Sequence, residues 1–297
     1  MGLAMDVLVR WLNVLLMMAA PLALGVFLTR RLRLDWRLFV IGGVTFVGSQ
    51  LLHLPFNAKV LTPLLMRIGF SATDTGVPLL LTALAFGISA GLFEEGARIL
   101  VYGTWLRDAR SWRDAIMFGA GHGGIEAILL GGLAAYGLIQ AIAYQGADLS
   151  ALVPADRLDV VRLQLQAYWA LPWYGALLGA FERALALCIQ VSLAVLVLQA
   201  FVRREWRWAV VAIGWHTAVD AVAVFGLRTW GMYATEALVG LAALLSLGVV
   251  FVLRDARPEE GELVPDQPLE ASALVGSAPG VDEETPSWEQ LEESRFL

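Results

Sequence analysis

Of the 297 residues, 58% are hydrophobic, eleven are Trp, and the mean hydropathy is +0.68; an ordinary soluble domain, with an apolar share of roughly 45–50% even when glycine is counted, is excluded. The net charge of −6 belongs to one end: residues 258–297 carry eleven acids against one Arg, a balance of −10 that leaves +4 on the first 257 residues, so no nucleic-acid partner is implied. The single cysteine, Cys188, lies inside an apolar run, which excludes a disulfide framework and a thiolate zinc site.

The first apolar run follows Asp6 and Arg10, extends through Phe27 and meets arginines rather than a small-residue cleavage site, so it reads as a retained span. Stretches of about 17–25 mostly apolar residues recur along the chain. They predict an all-α, multi-pass transmembrane bundle of seven helices over 7–28, 38–56, 78–105, 113–142, 172–201, 208–226 and 231–253. No alternating ten-residue pattern suggests a barrel, and in lipid a helix satisfies its own backbone. The connections 57–77 and 143–171 hold Pro and mixed polar residues, and Asp156 to Gln166 reads as a short interfacial helix.

Arginine bias sets the expected orientation. Arg30, Arg31, Arg33, Arg37, Arg107, Arg110, Arg113, Arg203, Arg204, Arg207, Arg254 and Arg257 flank one set of helix ends, twelve in all. The other ends have Lys59, Arg67, Arg157, Arg162 and Arg228. A protein of the cell membrane with its N-terminus outside and its tail in the cytoplasm is expected. Residues 258–297, rich in Pro, Glu, Ser and Gly, bury too little to fold and read as a disordered, solubilising tail.

Against this apolar background the charged residues stand out. Glu94, Glu95 and Arg98 fall within about one turn of the third span, with Gly87 and Gly91 continuing their face toward the bundle interior. The fourth span places His122 and Glu126 four apart on a glycine-rich face, the fifth carries Glu182, Arg183 and Gln190, and the sixth repeats the spacing with His216 and Asp220. An imidazole with a carboxylate one turn away either shares a metal or has its ring oriented by the acid. Each charged group at bilayer depth costs about 2.5–3.5 kcal/mol, so the five acids uncompensated would exceed ~12 kcal/mol, comparable to the stability of a whole domain. A joint functional site is the better reading than five separate structural pairs. Glu94, His122 and His216 fall at one depth, between the midplane and the arginine-rich side. His53, with Gln50 one turn away, reads as interfacial or packing because it lies near the end of the second span.

The series Phe93-Glu94-Glu95-Gly96-Ala97-Arg98, Gly121-His122-Gly123-Gly124-Ile125-Glu126-Ala127, Glu182-Arg183, and His216 with Asp220 resembles the YhfC family of intramembrane metalloproteases, itself similar to the CAAX prenyl protease and bacteriocin-processing group. The resemblance covers about 78–225. It implies an endopeptidase that cuts a membrane-embedded or lipidated peptide near the cytoplasmic side, with Glu94 (or Glu95) activating water and Arg98 holding the pair. His122, His216 and Glu126 would be ligands of a divalent metal, Zn foremost, with Asp220, Glu182, Arg183 and Gln190 supporting. Two departures stand beside it: only Gly96 and Ala97 separate the glutamate pair from Arg98, where the CAAX-type relatives have three residues, and Gln190 occupies a position usually held by histidine. The competing classes are a proton-coupled transporter, since Glu, His and Asp also suit proton relay, and a non-catalytic membrane scaffold.

Overall fold

Each apolar run closes its own backbone hydrogen bonds, and the side chains left facing outward are Leu, Val, Ile and Phe in quantity, as a lipid-facing surface requires. The computed structural model describes residues 3–254; the expected tail lies outside them. Among the described residues there is no strand, and seven helical stretches are long and apolar enough to cross a membrane. Helix α1 spans Leu3–Leu32 and α2 spans Trp36–Phe56. A π-helical turn, Asn57–Leu61, then leads without a break into α3, Thr62–Arg67. After α4 (Gly76–Thr104) and α5 (Trp112–Tyr144) come the short α6 (Leu149–Leu152) and the thirteen-residue α7 (Leu158–Ala170). Four-residue α8 (Trp173–Ala176) leads into α9 (Leu178–Val202), followed by α10 (Arg207–Thr229) and α11 (Met232–Val252).

The helix starts have local causes. Asp35 caps α2 by accepting from the Arg37 N–H at 3.0 Å, and Ser111 with Asp114 forms a reciprocal capping box on α5. A difference from the sequence expectation is at the end of α2, where the Pro-containing connection is expected to begin at residue 57. The helix instead continues to Arg67. Pro63 has no N–H to give, and the turn before it is widened, with Thr62 N–H reaching back five residues to the Asn57 carbonyl.

Helix α9 is the centre of the bundle: its apolar window is 72% buried, against 22–44% for the other six spans. Around it, glycines bring two helix pairs to backbone contact. A Cβ on Gly42 of α2 would stand 2.1 Å from the Phe118 carbonyl oxygen of α5, and one on Gly121 of α5 would stand 2.0 Å from the Phe39 carbonyl oxygen of α2. Gly87 and Gly91 do the same for α4 against Thr217 and Ile213 of α10, at 2.6 and 2.9 Å. Gly121→Ala should therefore lower the thermal unfolding midpoint in detergent, by the equivalent of about 1–3 kcal/mol, since a whole helix must shift. Gly132→Ala, whose added carbon meets nothing within 4 Å, should leave it unchanged.

The arginine-rich end is tied by aromatic and carbonyl contacts. Trp112 Nε1 donates to the Val250 carbonyl (2.7 Å), Arg254 lies over the Trp112 ring and Arg110 over Phe201. At the opposite end Arg10 donates to the Tyr168 and Leu171 carbonyls at 2.8 and 3.2 Å, fastening α7 and its exit to α1.

Candidate functional site

Adjacent positions on a helix diverge by about 100°, so Glu94 and Glu95 face different neighbours. Glu95 is fully buried and pairs through Oε1 with the Arg98 guanidinium one turn on; the same oxygen lies 2.7 Å from His216 Nδ1 on α10. Arg98, also fully buried, uses its other terminal nitrogen to donate to Gln190 Oε1 on α9. Glu94 faces α5 and α2: its Oε2 is 3.1 Å from His122 Nε2, and its Oε1 accepts from Gln50 Nε2 at 2.9 Å. Five helices thus meet at one carboxylate pair.

Gln190 joins the halves. Its carbonyl faces Arg98, and its amide donates to Glu126 Oε2 at 2.8 Å and stands 3.4 Å from Glu94 Oε2. Glu126 accepts from Arg183 at 2.6 Å, and Arg183 also donates to Glu182 at 2.6 Å. His216 Nε2 is 3.6 Å from Asp220, beyond hydrogen-bonding range. The expected pairing of Glu126 with His122 along α5 is replaced by cross-helix partners for both.

Gln50 and His53 belong to the cluster, which sequence reading missed. His53 Nδ1 is 3.2 Å from Gln50 Oε1, its Nε2 is 2.8 Å from Asn57 Nδ2, and Asn57 Oδ1 accepts from Ser89 on α4 at 2.8 Å. An amide at each end settles the ring's roles: Nδ1 donates to Gln50, and Nε2 accepts from Asn57. The signal lay in the spacing of Gln50, His53 and Asn57 on one face, but it needed the helix to run past Phe56.

Electrostatically the cluster sets five carboxylates, Glu94, Glu95, Glu126, Glu182 and Asp220, against two guanidiniums, Arg98 and Arg183. The amide donors of Gln50 and Gln190 converge on Glu94, which like Asp220 has no arginine partner of its own.

A zinc-type metal needs three protein ligands around one point. Among the described residues no three His, Cys, Asp or Glu side chains are so arranged. Glu126 is held by Arg183 and Gln190, while His122 and His216 face different glutamates. Beside Glu94 Oε2 the second neighbour is an amide N–H₂, a donor that does not ligate. His122 Nδ1 is buried without a partner, whereas a ligating imidazole donates its other ring nitrogen. The donor set does not fit a resident divalent ion in this arrangement.

A seven-span bundle with buried glutamates and histidines on α4, α5 and α10 is what the comparisons with known proteins bear upon. No solved structure matches the chain. The chain is 29% identical over 240 residues to "Uncharacterized membrane protein YhfC" of Bacillus subtilis (strain 168), covering 80% of this chain and 91% of that protein. The family described as YhfC intramembrane metalloprotease matches residues 14–243, a range that holds every candidate site residue from Gln50 to Asp220. This multi-pass membrane protein belongs to the YhfC intramembrane metalloprotease family.

Proposed function

We propose that the protein is an intramembrane endopeptidase in which Glu94 activates the hydrolytic water. The observation that carries this reading is the Glu94–His122 contact at 3.1 Å inside the bundle, beside the Glu95–His216 contact at 2.7 Å. A carboxylate that accepts a proton from water must be held in reach of it and kept from collapsing onto a cation. Glu94 is restrained by Gln50, His122 and Gln190, while Arg98 is occupied by Glu95 and Gln190. In this reading a water proton passes to Glu94 as the water oxygen attacks the peptide carbonyl carbon. The C–N bond then breaks, and the proton passes from Glu94 to the departing amine. His216 donates through Nδ1 to Glu95 and has Nε2 free of any partner within hydrogen-bonding distance, so in its imidazolium form it has an Nε2–H to offer the carbonyl oxygen as charge develops there.

The test is reconstitution of the purified protein in liposomes with membrane-inserted peptides. Cleavage in the wild type and its loss in Glu94→Ala is the expected result; cleavage surviving in both Glu94→Ala and Glu95→Ala would overturn the reading. The family name implies a metal, and the donor set gives a second expectation. Elemental analysis of the detergent-purified protein should find zinc well below one per chain, unchanged in His122→Ala and His216→Ala, with cleavage insensitive to chelator.

A proton-coupled transporter draws support from the continuous polar chain running from Glu182 through Gln190 and Glu94 to Ser89. That chain passes through the amides of Gln50, Asn57 and Gln190 and the guanidinium of Arg183. These groups donate hydrogen bonds but do not take up and release protons near neutral pH, which favours the hydrolytic reading.

A further inference from the structure

The depth of a site and the side from which it is entered are separate properties, and the polar groups around Glu94 are distributed unequally about it. His216 lies nine residues into α10 from Arg207, and His122 ten residues into α5 from Trp112. Glu94 lies ten residues before the end of α4 at Thr104. At 1.5 Å per residue these three sit roughly 14–15 Å from the arginine-rich end.

Between them and that end the interior of the bundle is filled, and the groove between α2 and α4 that runs on that side past Gly96, Leu100 and Trp105 is not lined by Glu94, Glu95, His122 or His216. Tyr102, Met117, Phe118, Leu193, Val195, Val197 and Leu198 are each at most 1% exposed, and Tyr102 stacks edge-on against Phe118. Gln199, a buried polar side chain of α9 nearer that end, accepts from Arg203 Nε at 2.9 Å. No polar contact links the site to the arginine-rich end among the described residues.

Away from that end, two polar trails leave the site. One follows Gln50, His53, Asn57 and Ser89 along the α2–α4 seam. The other follows Gln190, Glu126, Arg183 and Glu182 between α5 and α9, with Asp220 beside it on α10. Side-chain exposure is 0% at Glu95 and 9% at Glu94 in the site, 18% and 13% at Glu126 and Arg183 on the second trail, and 41% at Glu182 at its far end, with Asp220 at 40%. Asp220 is this accessible at a mid-helix position one turn from buried His216, and a charged side chain there is better accommodated by water than by lipid, contact with which would cost it several kcal/mol.

We infer that the site is entered from the end of the bundle opposite the arginine-rich loops. The substrate class is then a peptide segment lying at that membrane face, with its scissile bond drawn down past Asp220 and Glu182 to Glu94. This rests on the proposed peptidase reading for its chemistry, but the route itself does not. With the arginine bias of the loops, that face is the one away from the cytoplasm. Sequence depth alone had put the chemistry on the cytoplasmic side; the sealed apolar layer on that side separates where the carboxylates lie from where they are reached.

The test is thiol accessibility, which needs no turnover. In a Cys188→Ser background, single cysteines are placed at the opening (Asp220→Cys, Glu182→Cys), in the sealed layer (Met117→Cys) and in a loop at each end (Arg107→Cys, Arg228→Cys). A membrane-impermeant quaternary-ammonium methanethiosulfonate is applied to intact cells and to inverted vesicles, with labelling after denaturation as the total. Asp220→Cys and Glu182→Cys should be modified from the side that modifies Arg228→Cys and protected from the side that modifies Arg107→Cys, while Met117→Cys is protected from both. Modification of both opening cysteines from the Arg107 side, or of neither from any side, would overturn the inferred route. A protein that proves inactive on peptides but labels as expected would remove the peptidase reading and leave the route standing.

Discussion

Glu94→Gln should abolish peptide cleavage while leaving a folded protein. The substitution keeps the size of the side chain and an oxygen for the Gln50 amide, and it replaces the oxygen that faces His122 and Gln190 with an N–H₂ that cannot take a proton from water. The loss expected for removing a general base is about 10²–10⁴-fold in kcat. Glu94 makes no arginine pair, so its neutralisation strands no guanidinium, and the unfolding midpoint in detergent should stay close to that of the wild type. Glu95→Gln gives the contrast. It loses the carboxylate that holds both Arg98 and His216, so its midpoint should fall together with activity. The pair of measurements separates a chemical role from a structural one: Glu94→Gln retaining full activity, or failing to fold where Glu95→Gln folds, would reverse the assignment of the two glutamates.

The second large effect is expected at Arg98, and on stability. Its guanidinium has no exposure and ties α4 to Gln190 of the central helix while neutralising Glu95. Arg98→Leu leaves Glu95 as a buried charge with a histidine as its remaining partner and leaves the Gln190 carbonyl without its donor. Breaking a buried pair from one side costs about 3–5 kcal/mol, a large part of the ~5–15 kcal/mol that holds a domain together. Arg98→Leu should therefore fail to accumulate or unfold at a much lower temperature. Adding Glu95→Leu should restore part of the loss, because the uncompensated charge is then gone; a double-mutant cycle on unfolding midpoints reads the coupling directly. Arg98→Lys should fall between, since one ammonium does not reach Glu95 and Gln190 with the planar fork that a guanidinium offers. Equal stability for the single and double leucine variants would show that the pair does not carry this load.

What could be read before the fold was seen follows from which physical rule each feature obeys. The seven apolar stretches obey a one-dimensional rule, hydropathy over a bilayer thickness, and Glu94, Glu95, Arg98, His122 and His216 stand out against it because charge in such a stretch is expensive. Partners across helices obey no such rule. The four-residue spacing of His122 and Glu126 suggested a shared role along α5, yet His122 meets Glu94 and Glu126 meets Arg183, because interhelical packing decides which way each face turns. His53 was set aside for its position near the end of a span. The span was expected to end at 56 with a Pro-containing connection after it, whereas a widened turn over Asn57–Leu61 carries the helix past that point to Arg67. His53 is then well inside the helix, two hydrogen bonds from Glu94.

The glycine contacts also fix how the bundle can and cannot deform. Backbone against backbone at Gly42 and Gly121 makes α2 and α5 one unit, and the same contact at Gly87 and Gly91 makes α4 and α10 another. Neither pair can slide without a carbonyl striking an α-carbon. The seam between the two units is different: α2 and α4 meet there across a groove of about 620 Å³ lined by Gly48, Ser49, Phe93, Gly96 and Ala97, one turn from Glu94. Two side-chain hydrogen bonds cross this seam, Gln50 to Glu94 and Ser89 to Asn57, so the side chain that restrains the central carboxylate is also one of the polar links between the two units.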